Sequence, residues 1–219
     1  MEESFLVAVF LTLAGGFQDS YSYVARGKVF CNAQTGNIVL LAGNLFSGNV
    51  HAIGKYLIPL LAFVLGVYIA VRIEFHFQRS KVLVWQQAVL LIEMLSMLIA
   101  GFLPANLHIV ANSLLSFSCA MQVTVFNRME GLTFASTMCI GNLRSASWNW
   151  SKYHLTKDKA YRHRAISYYS IIAIFALGAV LGFAAAQLMA LRAIWLAPLF
   201  LLVPFLLLFW EERDENERI

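Results

Sequence analysis

Residues 170–190 read SIIAIFALGAVLGFAAAQLMA, with no charge anywhere in the run. A bilayer core about 30 Å thick is crossed by about 20 apolar residues of helix, so this stretch by itself argues for a membrane span, taken here as 166–190. Working outward, 193–210 follows as a second uncharged span, and 4–24, 56–71, 82–103 and 107–126 make four more. Composition agrees: 60% of residues are hydrophobic and 13% charged, against about 25% charged in ordinary soluble domains. The expectation is an all-α membrane protein, one transmembrane domain over 1–219, with about six transmembrane helices.

Two further segments, 29–46 and 132–150, have span-like lengths but far more polar residues. The Lys and Arg distribution bears on whether they cross, because short cytoplasmic loops collect positive charge. If both cross and the N-terminus is inside, nine of the 16 cations fall inside and seven outside. If each enters and leaves by the same side, 12 fall inside and only Arg26, Lys28, Lys55 and Arg192 outside. The second arrangement is expected: six spans plus two broken, re-entrant segments, with the loops 72–81 and 149–165 cytoplasmic. The start, Met1-Glu2-Glu3-Ser4, is acidic where a cleavable signal carries positive charge, so the first apolar block is read as a retained helix.

The polar segments also repeat. Gln18, Gly27, Phe30 and Gly36-Asn37 recur in order as Gln122, Gly131, Phe134 and Gly141-Asn142, with one residue inserted. Three spans separate the copies in the six-span arrangement, so they face opposite ways. The expectation is an inverted internal repeat, with repeat 1 at about 4–72 and repeat 2 at about 107–190. Opposed repeats with broken helices are a recurring build of secondary transporters, whose site lies at the repeat interface.

Gly16-Phe17-Gln18-Asp19, Gly27 and Thr35-Gly36-Asn37 resemble the YoaK-like bacterial integral membrane proteins, a family of unknown function. That family pairs a GFxDA-type helix end with TGN and carries a related stretch in its second half. Here Val123 stands where a polar residue is usual, and Ile140 precedes Gly141 where Thr is usual. The resemblance implies a multi-pass protein of a bacterial inner membrane and supplies no substrate.

Candidate functional residues are the polar groups that would be costly against lipid. Asp19 lies in the outer third of the first span, and is read either as a proton or cation site or as a helix cap or partner of Arg26. Glu93 stands mid-span in LLIEMLS, either a packing acid or a proton-coupling site. Gly36-Asn37 and Gly141-Asn142 are expected to begin half-helices, whose free N–H groups favour anionic ligand groups; Arg144, one turn beyond Ile140, would add charge. The alternative is that these glycines serve close backbone packing. The expected substrate-binding set is Gln18, Asp19, Thr35, Gly36, Asn37, Gln122, Gly141, Asn142 and Arg144. Asp19 and Glu93 are the expected proton-coupling pair, with the polar groups around one cavity. Gly178, Gly182 and Ala186 form a small-residue face for packing within the chain or in a homodimer. Cys31, Cys119 and Cys139 are read as packing thiols, with no metal, and the cations of the 152–164 loop as solvated or touching lipid head groups.

No phosphate loop, HExxH or GxSxG element occurs in the sequence, so neither an enzyme nor a cofactor is expected. A small polar or anionic solute moved by a secondary transporter or permease is the leading reading. A channel-like pore and a non-transporting, lipid-interacting scaffold are the alternatives.

Overall fold

Helix α1 (Phe5–Ala25) begins at Ser4, whose hydroxyl accepts from Leu6 N at 3.3 Å. It is followed by α2 (Gln34–Phe46), α3 (Val50–Phe77) and α4 (Trp85–Phe102). A one-turn 3-10 helix, Ala105–Leu107, leads into α5 (His108–Val125). Arg128–Met129 and Leu132–Thr133 then pair as a two-stranded hairpin about Glu130-Gly131. Next come α6 (Cys139–Thr156), α7 (Lys159–Met189), a 3-10 stretch at Ala190–Leu196 and α8 (Ala197–Glu217). This computed structural model describes residues 4–77 and 85–217; part of the 72–81 loop, including Arg79 and Lys81, lies outside them.

Four stretches among the described residues are long and apolar enough to cross a membrane: Ala52–His76, Trp85–Phe102, Ala105–Val125 and Lys159–Trp210. The difference from the six spans expected has two causes. The last stretch joins α7 to α8, and the second half of α1, QDSYSY at 18–23, dilutes its hydropathy. With 13 residues α2 is too short to cross, reaching only about 20 Å.

Helix directions follow from which residues meet. Along α1 and α7 the contacts advance together. Ala8 packs with Tyr168 and Ile171, Gly178 lies against the Leu13 carbonyl and Gly182 against that of Phe17, and Tyr21 donates to the Leu191 carbonyl at 2.8 Å. These two helices are therefore parallel, and so are α3 and α5, where Gly66 lies against Phe117 and Ala120 and Ala70 packs on Met121. In contrast, α1 and α5 run oppositely. Ala8 near the start of α1 packs with Met129 and Phe134, beyond the end of α5. At the other end the Arg26 carbonyl accepts from Asn112, in the second turn of α5, at 2.9 Å.

The neighbours of each helix mirror one another. α1 packs on α7 and α8, and α5 on α3 and α4; α2 packs on α3, and α6 on α7. Glycine makes the two close crossings. A Cβ on Gly16 would strike the Phe175 carbonyl, and one on Gly66 would meet the Ala120 side chain at 2.8 Å. Small residues matter here because close contact, rather than escape from water, drives helix association in lipid. The Gly178–Gly182 face is thus spent on α1, within the chain.

Candidate functional site

After Arg26 the chain turns at Gly27 and Lys28, with φ of 86° and 64°. It descends beside α1, and α2 then climbs back to the start of α3. Gly27 lies beside Lys55 of α3 and His108 of α5, so the segment leaves and returns at one end of the bundle. Irregular backbone at membrane depth must be satisfied by protein, and here side chains do it. Asn37, 1% exposed, accepts from Phe30 N at 3.0 Å and donates to Phe30 O at 2.6 Å. Ser22 accepts from Cys31 N at 3.1 Å, and Ser116 and Gln34 donate to Cys31 O at 2.9 and 2.8 Å. Asp19 Oδ1 accepts from Asn32 N at 2.8 Å and Ala33 N at 3.4 Å.

The second polar segment repeats this plan. Asn142 accepts from Ala135 N at 3.5 Å and donates to Ala135 O at 2.8 Å, again seven residues back. The segment's ends also meet, since Glu130 lies 3.6 Å from His163 in the first turns of α7. Its lowest point touches α1, where Thr137 faces Gly15. One member of the plan is missing: Val123 stands where the first copy has Asp19, and no side chain caps α6.

Between the copies lies Glu93 of α4, fully buried. Gln18 Nε2 donates to its Oε1 at 2.8 Å. With the Gln122 amide turned so that both its atoms are satisfied, its nitrogen donates to Oε2 at 2.8 Å and Oε1 at 2.9 Å, and its oxygen accepts from Ser136 at 2.7 Å. One carboxyl group thus joins the glutamine of α1 to the glutamine of α5. The Gln18 Oε1 atom is buried without a partner.

A cavity of about 600 Å³ lies on the other side of α1. The beginnings of α2 and α6 reach it, Ala33-Gln34-Thr35 and Met138-Cys139-Ile140-Gly141, together with Asp19, Ser20, Asn32 and Thr137. Phenylalanines 30, 63, 175 and 183 supply most of the remaining wall.

The model of a family described as "Protein of unknown function (DUF1275)" matches residues 7–207. The chain belongs to the DUF1275 family. The YoaK-like resemblance read from the sequence is consistent with that membership. No curated protein and no solved structure matches the chain.

In this DUF1275 chain the expected single polar cavity is divided in two. Asp19, Thr35 and Gly141 line the cavity, whereas Gln18 and Gln122 hold Glu93. Asn37 and Asn142 are engaged by backbone, and Gly36 packs under the Phe30 ring, 3.0 Å from where its Cβ would stand. Arg144 is exposed on α6 and does not line the cavity. Asp19 binds the backbone ahead of α2 and not Arg26, whose guanidinium donates to Tyr21 and to the Ala100 and Leu103 carbonyls. Sequence reasoning missed Ser22, Ser116, Asn32 and Ser136: Ser22 and Ser116 stand one turn from Asp19 and Asn112, whereas Asn32 and Ser136 lie ahead of α2 and α6 with no such spacing to mark them.

Proposed function

We propose that this chain is a secondary transporter of the bacterial cytoplasmic membrane. Two inverted repeats, 4–72 and 107–190, would give six crossings and two re-entrant segments, move a small polar solute through the cavity at the half-helix ends, and couple it to a proton at Glu93. The observation that carries the reading is the Glu93 carboxyl held between Gln18 and Gln122, one from each of two oppositely running helices. As a carboxylate it accepts from both amides. As a neutral acid it becomes a donor, and the unpartnered Gln18 Oε1 is an acceptor within one amide rotation. Protonation thus has two hydrogen-bonded arrangements at the seam where the repeats meet.

Other features support the same reading. The asparagine clasps repeat at the same seven-residue separation, and the neighbours of α1 and α5 mirror each other. Lys55 lies beside Gly27, between Arg26 and Lys28, and Tyr21 bonds Leu191 next to Arg192. The four cations assigned outside by the six-span arrangement therefore gather at one end of the bundle. Sequence-adjacent residues connect the seam to the cavity: Gln18 and Ser136 belong to the Glu93 network, while Asp19 and Thr137 line the cavity.

The test is reconstitution into liposomes with a pH-sensitive dye inside and a solute panel outside. Solute-evoked proton movement is expected with wild type and lost with Glu93→Gln. Proton movement that survives in Glu93→Gln, or solute flux with no proton movement, would remove Glu93 from the coupling role.

A further inference from the structure

The cavity has a marked chemical polarity. Asp19 is the one charged side chain among its lining residues, and among the described residues no Lys, Arg or His lines it. Capping occupies only part of that carboxylate: the three bonds described for Asp19 converge on Oδ1, from Asn32 N, Ala33 N and Cys31 Sγ. Asn32 beside it is 5% exposed. Its Nδ2 donates to the Gly15 carbonyl at 2.9 Å, while its Oδ1 is buried with no partner. The cavity wall therefore presents the Asp19 carboxyl group as its charged acceptor, the unpartnered Asn32 oxygen is buried beside it, and the remaining surface is chiefly apolar.

We infer that the cavity binds a primary amine with an apolar or aromatic body, its ammonium group held by Asp19. The inference rests on reading this cavity as the transport site, and it names the substrate class. An ammonium group brings donors and one positive charge, a partner for the Asp19 oxygen that takes none of the three bonds described above. Aromatic rings, here Phe63, Phe175 and Phe183, add attraction for a cation; Tyr23 is already engaged, stacked on Phe30 and covered by the Lys28 ammonium. A bare metal cation fits poorly, because hard cations take about six oxygen ligands and this wall is mostly carbon. An anion would meet Asp19 without a basic side chain to offset it. Either helix N-terminus offers only about half a positive charge, and Asp19 stands beside that of α2, bonded to the backbone just ahead of it. The volume, about 600 Å³, is in the range that encloses drug-sized molecules, about 300–1,000 Å³.

The experiment measures thermal unfolding of the purified full-length protein in detergent against rising 2-phenylethylamine or its carboxylate counterpart, 3-phenylpropionate. A saturable rise in Tm with the amine and none with the carboxylate is expected. Asp19→Asn should weaken amine affinity about tenfold or more, the usual loss for a hydrogen bond to a charged group. Because Asp19 also caps α2, a Phe63→Trp variant that fills the cavity from α3 is measured alongside and should lose the same response. Equal or greater stabilisation by the carboxylate overturns the inference. So does the absence of an amine response at millimolar concentration, or an undiminished response in Phe63→Trp. Failure here is separable from failure of transport: solute-evoked proton flux without amine stabilisation sinks the substrate class alone, and amine stabilisation without flux sinks transport alone.

Discussion

Replacing Asn37 by Ala removes the clasp that holds the start of α2 to the segment ahead of it, and the structure sets the size of the effect. Asn37 satisfies both backbone groups of Phe30, at 3.0 and 2.6 Å, and donates to Gln34 Oε1 at 2.9 Å. The Ala variant strands the Phe30 N–H and C=O beneath a buried position, each at about 1–3 kcal/mol, so the loss should be about 2–6 kcal/mol. The mirror substitution, Asn142→Ala, should cost less. Its bond from Ala135 N is 3.5 Å long and only the 2.8 Å bond to Ala135 O is short, which leaves about 1–3 kcal/mol. The clasps share no partner, so the double variant should lose the sum. Equilibrium unfolding in detergent micelles, followed by tryptophan fluorescence, measures all three. A loss under about 1 kcal/mol for Asn37→Ala, or a larger loss for Asn142→Ala, would refute the assignment of these side chains to backbone support.

The glycines separate in the same assay. Gly16→Ala forces a Cβ into the Phe175 carbonyl and should destabilise by about 1–3 kcal/mol. Gly141→Ala meets nothing within 4 Å and should be neutral or stabilising by up to about 1 kcal/mol. Glu93→Leu strands two glutamine amides and should cost about 1–3 kcal/mol for each, whereas Glu93→Gln, which keeps an acceptor for at least one of them, should be purified folded; equal losses in the two variants would contradict the network. In a Cys139→Ser background, cysteines at 55 and 192 should react with an impermeant thiol reagent outside intact cells and a cysteine at 157 should not. Labelling at 157 from outside contradicts the six-span arrangement.

The parts legible in the sequence were those carried by repetition and by isolated charge. Gln18 and Gln122 were paired by their place in the two copies, and they do meet on one carboxyl. Glu93 drew attention as the lone acid in an apolar span, although what holds it comes from other helices. Which way a side chain points was much harder to read. Gln18 and Asp19 are adjacent, yet one residue turns a helix by about 100°, and that step sends one to the seam and the other to the cavity. Arg144 was judged by its distance from Ile140, which lines the cavity but is 80% exposed, and one turn further along α6 the guanidinium lies at the surface beyond the cavity. The phenylalanine wall gave no signal, because Phe63, Phe175 and Phe183 look like any other lipid-facing or core residue until α3 and α7 are brought together. The serines that complete the backbone bonding of the first dip were hidden similarly, each being a small polar residue whose partner lies on a different element.

Arg26 has a mechanical consequence. Its fully buried guanidinium grips the carbonyls at the end of α4, and its own carbonyl is gripped by Asn112 of α5. Three helices that belong to different halves of the chain are pinned at a single point near one face. Any rocking of one half on the other that keeps these bonds must turn about that point, as a lever turns about its axle. A tilt of about 10° then moves the far end of a helix about 30 Å long by about 5 Å, while the pinned end scarcely shifts. If the chain transports as proposed, the face that carries Glu130 and His163 is the one such rocking would open, and the face that carries Arg26 would serve as its hinge.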